Sequence, residues 1–392
     1  MKARYQYRIY PTQEQQTKLA KLFGCTRVVW NDALRLCKDS EKLPKNGDLQ
    51  KIVITQAKCT EERKWLSEVS NIPLQQSVAD LGVAFKNFFE SRSGKRKGKK
   101  VGYPRFKKKS GRQSARFRQG GFCLKGDKVY LAKVGNMKTK WSRPLPAEPS
   151  SVTVIKDTAG RYFLSFVVAV QLVELPAKSP SVGVDLGIKT FAVLSTGEKV
   201  DSPDYSRLDR KIRRAQRKLS RATKGSKRRQ RAKLRVAKLK AKVRDTRKDF
   251  LHKLSTRLIN DNQVICLEDL NVSGMLKNHC LSRAISEAGW SEFRSMCAAK
   301  SLRYSREVSV ISQWEPTSQV CSDCGYYWGK LDLSIRALVC LGCGTLQDRD
   351  GNASQNIEMS GLGKSTTLNG RGRECKTPLG AVLDEPSTHL VA

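Results

Sequence analysis

Two knuckles of the form Cys-x-x-Cys-Gly, Cys321–Gly325 and Cys340–Gly344, restrict this chain more tightly than any other stretch, with fifteen residues between Cys324 and Cys340. Four thiols at this spacing close into a tetrahedral zinc site. Four thiolates leave no open coordination position, so the expected role is structural. Zinc binding of this kind contributes on the order of 10 kcal/mol in small zinc peptides, so the knuckle should not fold without it. The other eight of the 12 cysteines are scattered singly, too sparse for a disulfide scaffold and in keeping with an intracellular protein.

The chain carries 75 Lys and Arg against 36 Asp and Glu, a formal charge of +39 over 392 residues. A folded surface so charged repels itself unless a polyanion lies against it. Nucleic acid is therefore the first partner to consider and an anionic membrane the second. The sequence contains neither a long apolar run nor a long amphipathic helix with a bulky apolar face. Its opening residues, MKARYQYRIYP, alternate like a strand and not like a leader. The expectation is a soluble, cytoplasmic, multidomain protein with no membrane contact.

In chain order, Tyr5, Tyr7 and Ile9 alternate with Arg4, Gln6 and Arg8 as one strand. Thr12 and Gln15 form a capping-box pattern ahead of a helical stripe through Leu19, Leu22, Phe23, Val29, Trp30 and Leu34. A second helix is expected from Pro73, with Leu74, Val78, Leu81, Phe85, Phe88 and Phe89 on its buried side. From Arg92 to Arg118 there is no acid, and Tyr103, Arg105, Phe106, Lys107, Arg116 and Arg118 interleave rings with cations. That composition suits a surface that stacks bases and meets phosphates, with a solvated linker as the plainer reading, strongest over 93–100.

Strand signals at 128–133, 152–155 and 161–170 join residues 3–10 in a small β-barrel, into which the helices would be inserted. Residues 175–180 read as a linker. Residues 207–248 carry 21 Lys and Arg against Asp209 and Asp245, with a break at Gly225. They read as a basic helical hairpin presenting Arg213, Arg214, Arg217, Lys218, Arg228 and Arg229 to nucleic acid. A single helix is expected over 286–302 and a strand over 307–311. The Gly-, Ser- and Pro-rich stretch from 363 to 392 reads as a disordered tail.

Three acids stand out by position. Asp185 lies within the first apolar strand of a hairpin over 181–195, Glu268 lies near the end of the short buried run 263–270, and Asp350 heads a helix after the second knuckle. A buried ionised acid is costly unless a cation meets it, and neither strand carries a basic residue, although Lys189 or the basic helices could reach. Divalent ions held between the acids would remove that cost and would activate water for phosphodiester displacement. Each acid could equally be an unrelated cap, turn or ion-pair residue.

Gly183-Val184-Asp185-Leu186-Gly187, Leu267-Glu268-Asp269-Leu270-Asn271, the paired knuckles and Asp348-Arg349-Asp350-x-Asn352-Ala353 together resemble the signatures of the TnpB (OrfB-type) family. These are insertion-sequence proteins similar to type V CRISPR effector nucleases. The resemblance implies an α+β multidomain fold. Residues 1–10 and 92–175 would form a wedge β-barrel, with a helical recognition lobe at 11–91. An RNase H-like (RuvC) α/β nuclease domain would span 181–317 and 346–362, with the four-Cys zinc ribbon of 318–345 inserted.

The family's activity implies a guide RNA from the element's end, double-stranded target DNA beside a short recognition motif, and cleavage with Mg²⁺, two ions being expected. Asp185, Glu268 and Asp350 match the family's catalytic positions. Ser354 stands where many relatives have Ala. A guided DNA-binding repressor without cleavage, a three-acid transposase and a plain zinc-containing RNA-binding protein remain the alternatives.

Overall fold

A computed structural model describes residues 1–363 apart from Lys97 and Leu333, together with the backbone of Leu368–Asn369 and Arg373–Glu374. The expected disordered tail lies almost wholly outside the described residues. The architecture is mixed α+β in two compact units, Met1–Val170 and Gln171–Glu385. Among the described residues no helix is long and apolar enough to cross a membrane.

The first unit opens with β1 (Lys2–Ile9), whose Tyr5, Tyr7 and Ile9 turn inward. Pro11 ends the strand and Thr12 caps α1 (Gln13–Asp39). The Thr12 side chain accepts from Gln15 N while Gln15 Oε1 accepts from Thr12 N, so two otherwise orphaned amides are satisfied. The chain then passes through α2 (Asn46–Gln50), a wider π-type turn over Lys51–Gln56 and 3-10 turns, an irregular path between two long helices.

Helix α3 (Asn71–Arg92) buries Leu74, Val78, Leu81 and Phe85. Phe89, expected on that face, is exposed, and Phe88 is half-buried. Six strands follow: β2 (Gln113–Arg118), β3 (Phe122–Lys125), β4 (Lys128–Leu131), β5 (Gly135–Lys140), β6 (Pro149–Lys156) and β7 (Tyr162–Ala169). They join β1 in a seven-stranded antiparallel sheet of order β2-β6-β7-β1-β5-β4-β3. The first strand thus lies between β7 and β5, although both helices intervene in sequence. Leu19, Leu34, Tyr7, Phe117 and Phe166 share one core. Burying each such side chain is worth roughly 1.5–3 kcal/mol.

The second unit is built on a five-stranded sheet of order β10-β9-β8-β11-β12. It comprises β8 (Ser181–Leu186), β9 (Thr190–Leu194), β10 (Lys199–Asp201), β11 (Val264–Glu268) and β12 (Glu307–Ile311). The first three strands form an antiparallel meander, whereas β11 pairs parallel to both β8 and β12. Helices α4 (Ser206–Ser220) and α5 (Lys227–Asp261) connect β10 to β11. Residues Leu251, Leu254, Leu258 and Ile259 of α5 are buried with Val182, Val184, Ile265 and Leu267 of the sheet.

Between β11 and β12 lie α6 (Val272–Met275), α7 (Ser282–Ala288) and α8 (Trp290–Tyr304). The single helix expected over 286–302 is therefore two. Gly289, at φ +74°, takes a left-handed conformation that breaks the helical run. A small ribbon of β13 (Ala337–Val339) and β14 (Leu346–Asp348) precedes α9 (Arg349–Gly361).

Helix α9 lies directly on β8, and Gly183 makes this approach possible. A Cβ there would fall 1.9 Å from the Ser354 carbonyl oxygen and 2.7 Å from Glu358 N.

Candidate metal centres and nucleic-acid surface

The carboxylate centre follows from strand register. Val184 of β8 is opposite Leu267 of β11 in a parallel ladder. Asp185 and Glu268 each lie one residue further on, so neighbouring strands deliver both acids at the same end of the sheet and on the same face. Asp350 arrives from a third direction, in the first turn of α9, brought near by the close contact of that helix with β8.

Burial raises the Asp185 carboxyl from its ordinary 3.8 to about 7, reinforced by the charges of Glu268 and Asp350 and opposed by Arg349. Burial also raises Glu268, opposed by a hydrogen bond in which Thr317 Oγ1 donates to Glu268 Oε1 at 2.8 Å. Asp185 therefore feels the charges of both other acids.

The cation nearest Asp350 is Arg336, whose Nη1 lies 3.2 Å and 3.3 Å from the two carboxylate oxygens. It comes from the segment between the knuckles. Asp348, two residues earlier, is engaged elsewhere. Its side chain caps α9 by accepting from Gly351 N at 2.8 Å and pairs with Lys199 Nζ at 2.9 Å.

The four cysteines converge. Cys321 and Cys343 sulfurs are 3.8 Å apart and those of Cys324 and Cys340 are 3.5 Å apart. Four sulfurs about 2.3 Å from a tetrahedral zinc would be ~3.8 Å from one another. Among the described residues, this is the only set of three or more Cys, His, Asp or Glu side chains whose ligand atoms all lie within 4.8 Å. The carboxylates are more widely set.

The basic residues divide into surface and scaffold. On α4 and at the start of α5, Arg213, Arg214, Arg217, Lys218 and Arg228 are exposed. Arg229 is turned inward, donating from Nη1 to the carbonyls of Leu219 (2.9 Å) and Ala222 (2.8 Å), so it closes the turn between the two helices. In the first unit, Arg116 is held by Asp80 while Arg118 is exposed.

The stretch from Tyr103 to Lys107 is strapped down. Trp30 Nε1 donates to Arg105 O at 3.1 Å, and Asn31 exchanges two hydrogen bonds with the Lys107 backbone at 2.8 and 3.1 Å. Lys107 Nζ stands 3.7 Å from the centre of the Trp30 ring, and Lys38 Nζ 4.7 Å from that of Phe106. Tyr103 meets Phe85 and Phe88 edge-on at 5.3 and 5.4 Å. Even so, Tyr103 remains 40% and Phe106 43% exposed, two rings presented among cations. Sequence reasoning missed Arg336 and Thr317, because only folding brings either to a carboxylate.

Known proteins bear on both units. Residues 165–279 match the OrfB family described as "Probable transposase", residues 290–357 a Cas12f1-like TNB domain, and residues 1–42 a helix-turn-helix domain of OrfB proteins. In this chain those first residues form β1 and α1. A Streptomyces pristinaespiralis protein named "Putative RNA-guided DNA endonuclease" is 42% identical, over 98% of this chain and 96% of its own length. The Escherichia coli K12 protein InsQ, given the same description, is 30% identical over 91% and 92% of the two chains.

Two solved structures share the fold. One is a Cas12f1–sgRNA–target DNA complex (TM-score 0.52, 14% identity, 88% of this chain and 81% of that one). The other is the mini-RNA-guided endonuclease CRISPR-Cas_phi3 (TM-score 0.53, 10% identity, 92% of each). The chain belongs to the TnpB (OrfB-type) family of insertion-sequence proteins.

Proposed function

We propose that this protein is an RNA-guided DNA endonuclease of an insertion sequence. It would bind a structured guide RNA from the element's end and cut target DNA beside a short recognition motif. The observation that carries the reading is the in-register delivery of Asp185 and Glu268 with Asp350 beside them, in a chain similar over nearly its whole length to relatives named for that activity. Sheet order β10-β9-β8-β11-β12 with α9 against β8 supports an RNase H-like (RuvC) nuclease domain. The seven-stranded sheet of the first unit, interrupted after β1 by helices, supports the wedge barrel with its inserted recognition lobe.

Oxygen ligands from three converging acids fit hard divalent cations, and their spread beyond one tight shell suits two ions. Asp185, Glu268 and Asp350 would hold Mg²⁺, which when bound supplies Lewis acidity and an activated water for phosphodiester hydrolysis. The chain's own residues set the conditions. Asp185, raised to about 7, must give up its proton to act as a ligand, so cation binding releases protons below that pH. Thr317 holds one oxygen of Glu268, which restricts the direction in which the other can face. Arg336 offers a guanidinium at the site, able to exchange Asp350 for an anionic phosphate oxygen.

Exposed Arg213, Arg214, Arg217, Lys218 and Arg228 would meet phosphates, and Tyr103 and Phe106 offer ring faces to bases. Arg229 and Arg116 have partners within the fold that compete with this role. The four cysteines would hold structural zinc.

The test is to sequence the RNA that co-purifies with the protein and then supply matched plasmid and Mg²⁺. An RNA with a variable guide segment and a cut plasmid are expected. Tight binding with an intact plasmid would establish a repressor instead, and joining of element ends by protein alone would establish a transposase.

A further inference from the structure

The four-sulfur cluster and the carboxylate centre are joined by a short chain of hydrogen bonds, all within the second unit. The loop 317–322 carries Cys321 at one end and Thr317 at the other. Helix α9 grips it with two asparagines one turn apart, on the same helix face. Asn352, 1% exposed, accepts from Ser322 N at 2.8 Å and donates to Val320 O at 2.8 Å. Asn356 Nδ2 donates to Thr317 O at 2.8 Å and to Val320 O at 2.7 Å. Gln347 Nε2 approaches Cys321 Sγ at 3.7 Å and Ser322 Oγ at 3.4 Å. At the far end the buried Thr317 donates its hydroxyl to Glu268 Oε1 at 2.8 Å. The same helix carries Asp350 in its first turn.

We propose that Thr317 is a positioning residue for Glu268, and that the zinc-filled knuckle, clasped by Asn352 and Asn356, holds Thr317 in place. The inference rests on the reading of Glu268 as a metal ligand. The knuckle then does more than keep its own fold, since its occupancy sets the divalent affinity of the carboxylate centre.

A threonine hydroxyl suits this task. It donates one hydrogen bond to a carboxylate oxygen and leaves the second oxygen free to bind a cation. Its β-branched side chain has little rotamer freedom, so fixing the loop backbone fixes the donor. A long glutamate side chain at the end of a strand has no such constraint of its own. Removing the hydroxyl frees the carboxylate without touching a sulfur, an amide clasp or a metal-binding oxygen. Losing the zinc frees it from the other side, by letting Cys321, Ser322 and then Thr317 move. Outer-sphere partners of metal ligands are typically worth 10–100-fold in metal affinity or activity.

The experiment uses the full chain with its co-purified RNA and Mn²⁺ as the probe, titrated by the EPR signal of the free ion. Wild type is compared with T317V, T317S and D185A. Zinc content, thermal midpoint and plasmid cleavage are measured on each. T317V is expected to bind Mn²⁺ roughly 10–100-fold more weakly and to cut correspondingly more slowly, with zinc content and thermal midpoint unchanged. T317S, which restores the hydroxyl, should recover most of both. Zinc-stripped wild type should show a Mn²⁺ defect at least as large as that of T317V.

T317V with wild-type Mn²⁺ affinity, T317S as defective as T317V, or loss of zinc from T317V would each overturn the proposal. D185A separates this from failure of the nuclease reading. If D185A also binds Mn²⁺ and cuts normally, the carboxylate centre itself is wrong. If only D185A fails, the centre stands and the role of Thr317 falls.

Discussion

The four-sulfur centre and the three-carboxylate centre sit side by side in one unit, yet they are built in opposite ways. The sulfurs come from one short stretch, Cys321 to Cys343, on two tight knuckles that bring them to 3.5–3.8 Å of one another across the site. The carboxylates come from β8, β11 and α9, spread in sequence from Asp185 to Asp350. Their arrangement depends on a strand register, a helix seated on a glycine, and a threonine lent by the loop that carries Cys321. A local site tolerates distortion elsewhere in the fold, whereas a site assembled at long range inherits every error of packing. The carboxylate centre should therefore be the more easily damaged of the two, and damage should pass from zinc to carboxylates and not the other way.

The largest effect is expected from Cys321→Ser. Structural zinc contributes on the order of 10 kcal/mol, so the knuckle should lose its metal and open, and cleavage should be lost with it. Zinc content, hydrogen exchange over 317–347 and plasmid cleavage read this together. A zinc-free protein that still cuts would break the directional link between the centres.

Asp185→Ala comes next. Losing one ligand from a site that supplies several kcal/mol of charge stabilisation should slow cleavage on the order of a thousandfold or more. Zinc content should stay intact and guide-dependent binding nearly so. Cleavage rate and DNA retention on the same preparation decide the matter.

Gly183→Ala tests the packing that carries Asp350. The new Cβ would lie 1.9 Å from the Ser354 carbonyl, an overlap with backbone that no side-chain rotation relieves. A cost of about 3 kcal/mol is expected, with α9 displaced from β8, read as a lower thermal midpoint. Zinc content should survive. An unchanged midpoint would mean that α9 is not seated as described.

The smallest effect is a pH dependence. Asp185 is raised in the fold from its ordinary 3.8 to about 7, so its protonated form is the one the fold favours. Its contribution to stability is present below about pH 4 and is lost as pH rises through about 7. Zinc-loaded protein without added Mg²⁺ should thus lose stability progressively between about pH 4 and about pH 7. Mg²⁺ should remove that slope, because the ion favours the charged carboxylate. Asp185→Asn should remove it without Mg²⁺. A midpoint that varies with pH identically in wild type and Asp185→Asn would show that Asp185 does not sit among uncompensated carboxylates.

Much of this organisation could be read without coordinates wherever the signal was local. The capping box at Thr12 and Gln15 was legible because both partners lie within four residues. The strands holding Asp185 and Glu268 were legible as apolar runs flanked by turns. Strands β2 and β5 were missed. In β2 only Ala115 and Phe117 are buried among polar and basic neighbours, and in β5 only Met137 and Thr139, so the alternation is too thin to stand out. The break at Gly289 was missed because Trp290 and Phe293 continue the apolar spacing, and only the left-handed glycine interrupts it. Arg229 looked like its basic neighbours until the fold turned it onto two carbonyls of the α4–α5 turn.

Composition and spacing by themselves determined the candidate ligand residues, the two knuckles, the excess of cations and the kinds of element on which the three acids lie. Each of these is a property of neighbouring residues. Which acids face one another, which arginine answers Asp350, and which hydroxyl holds Glu268 were decided only by the tertiary structure. The reason is physical. Side-chain type and short-range periodicity set local conformation, but partners across a fold are chosen by sheet order and register. Those depend on the packing of the whole unit at once.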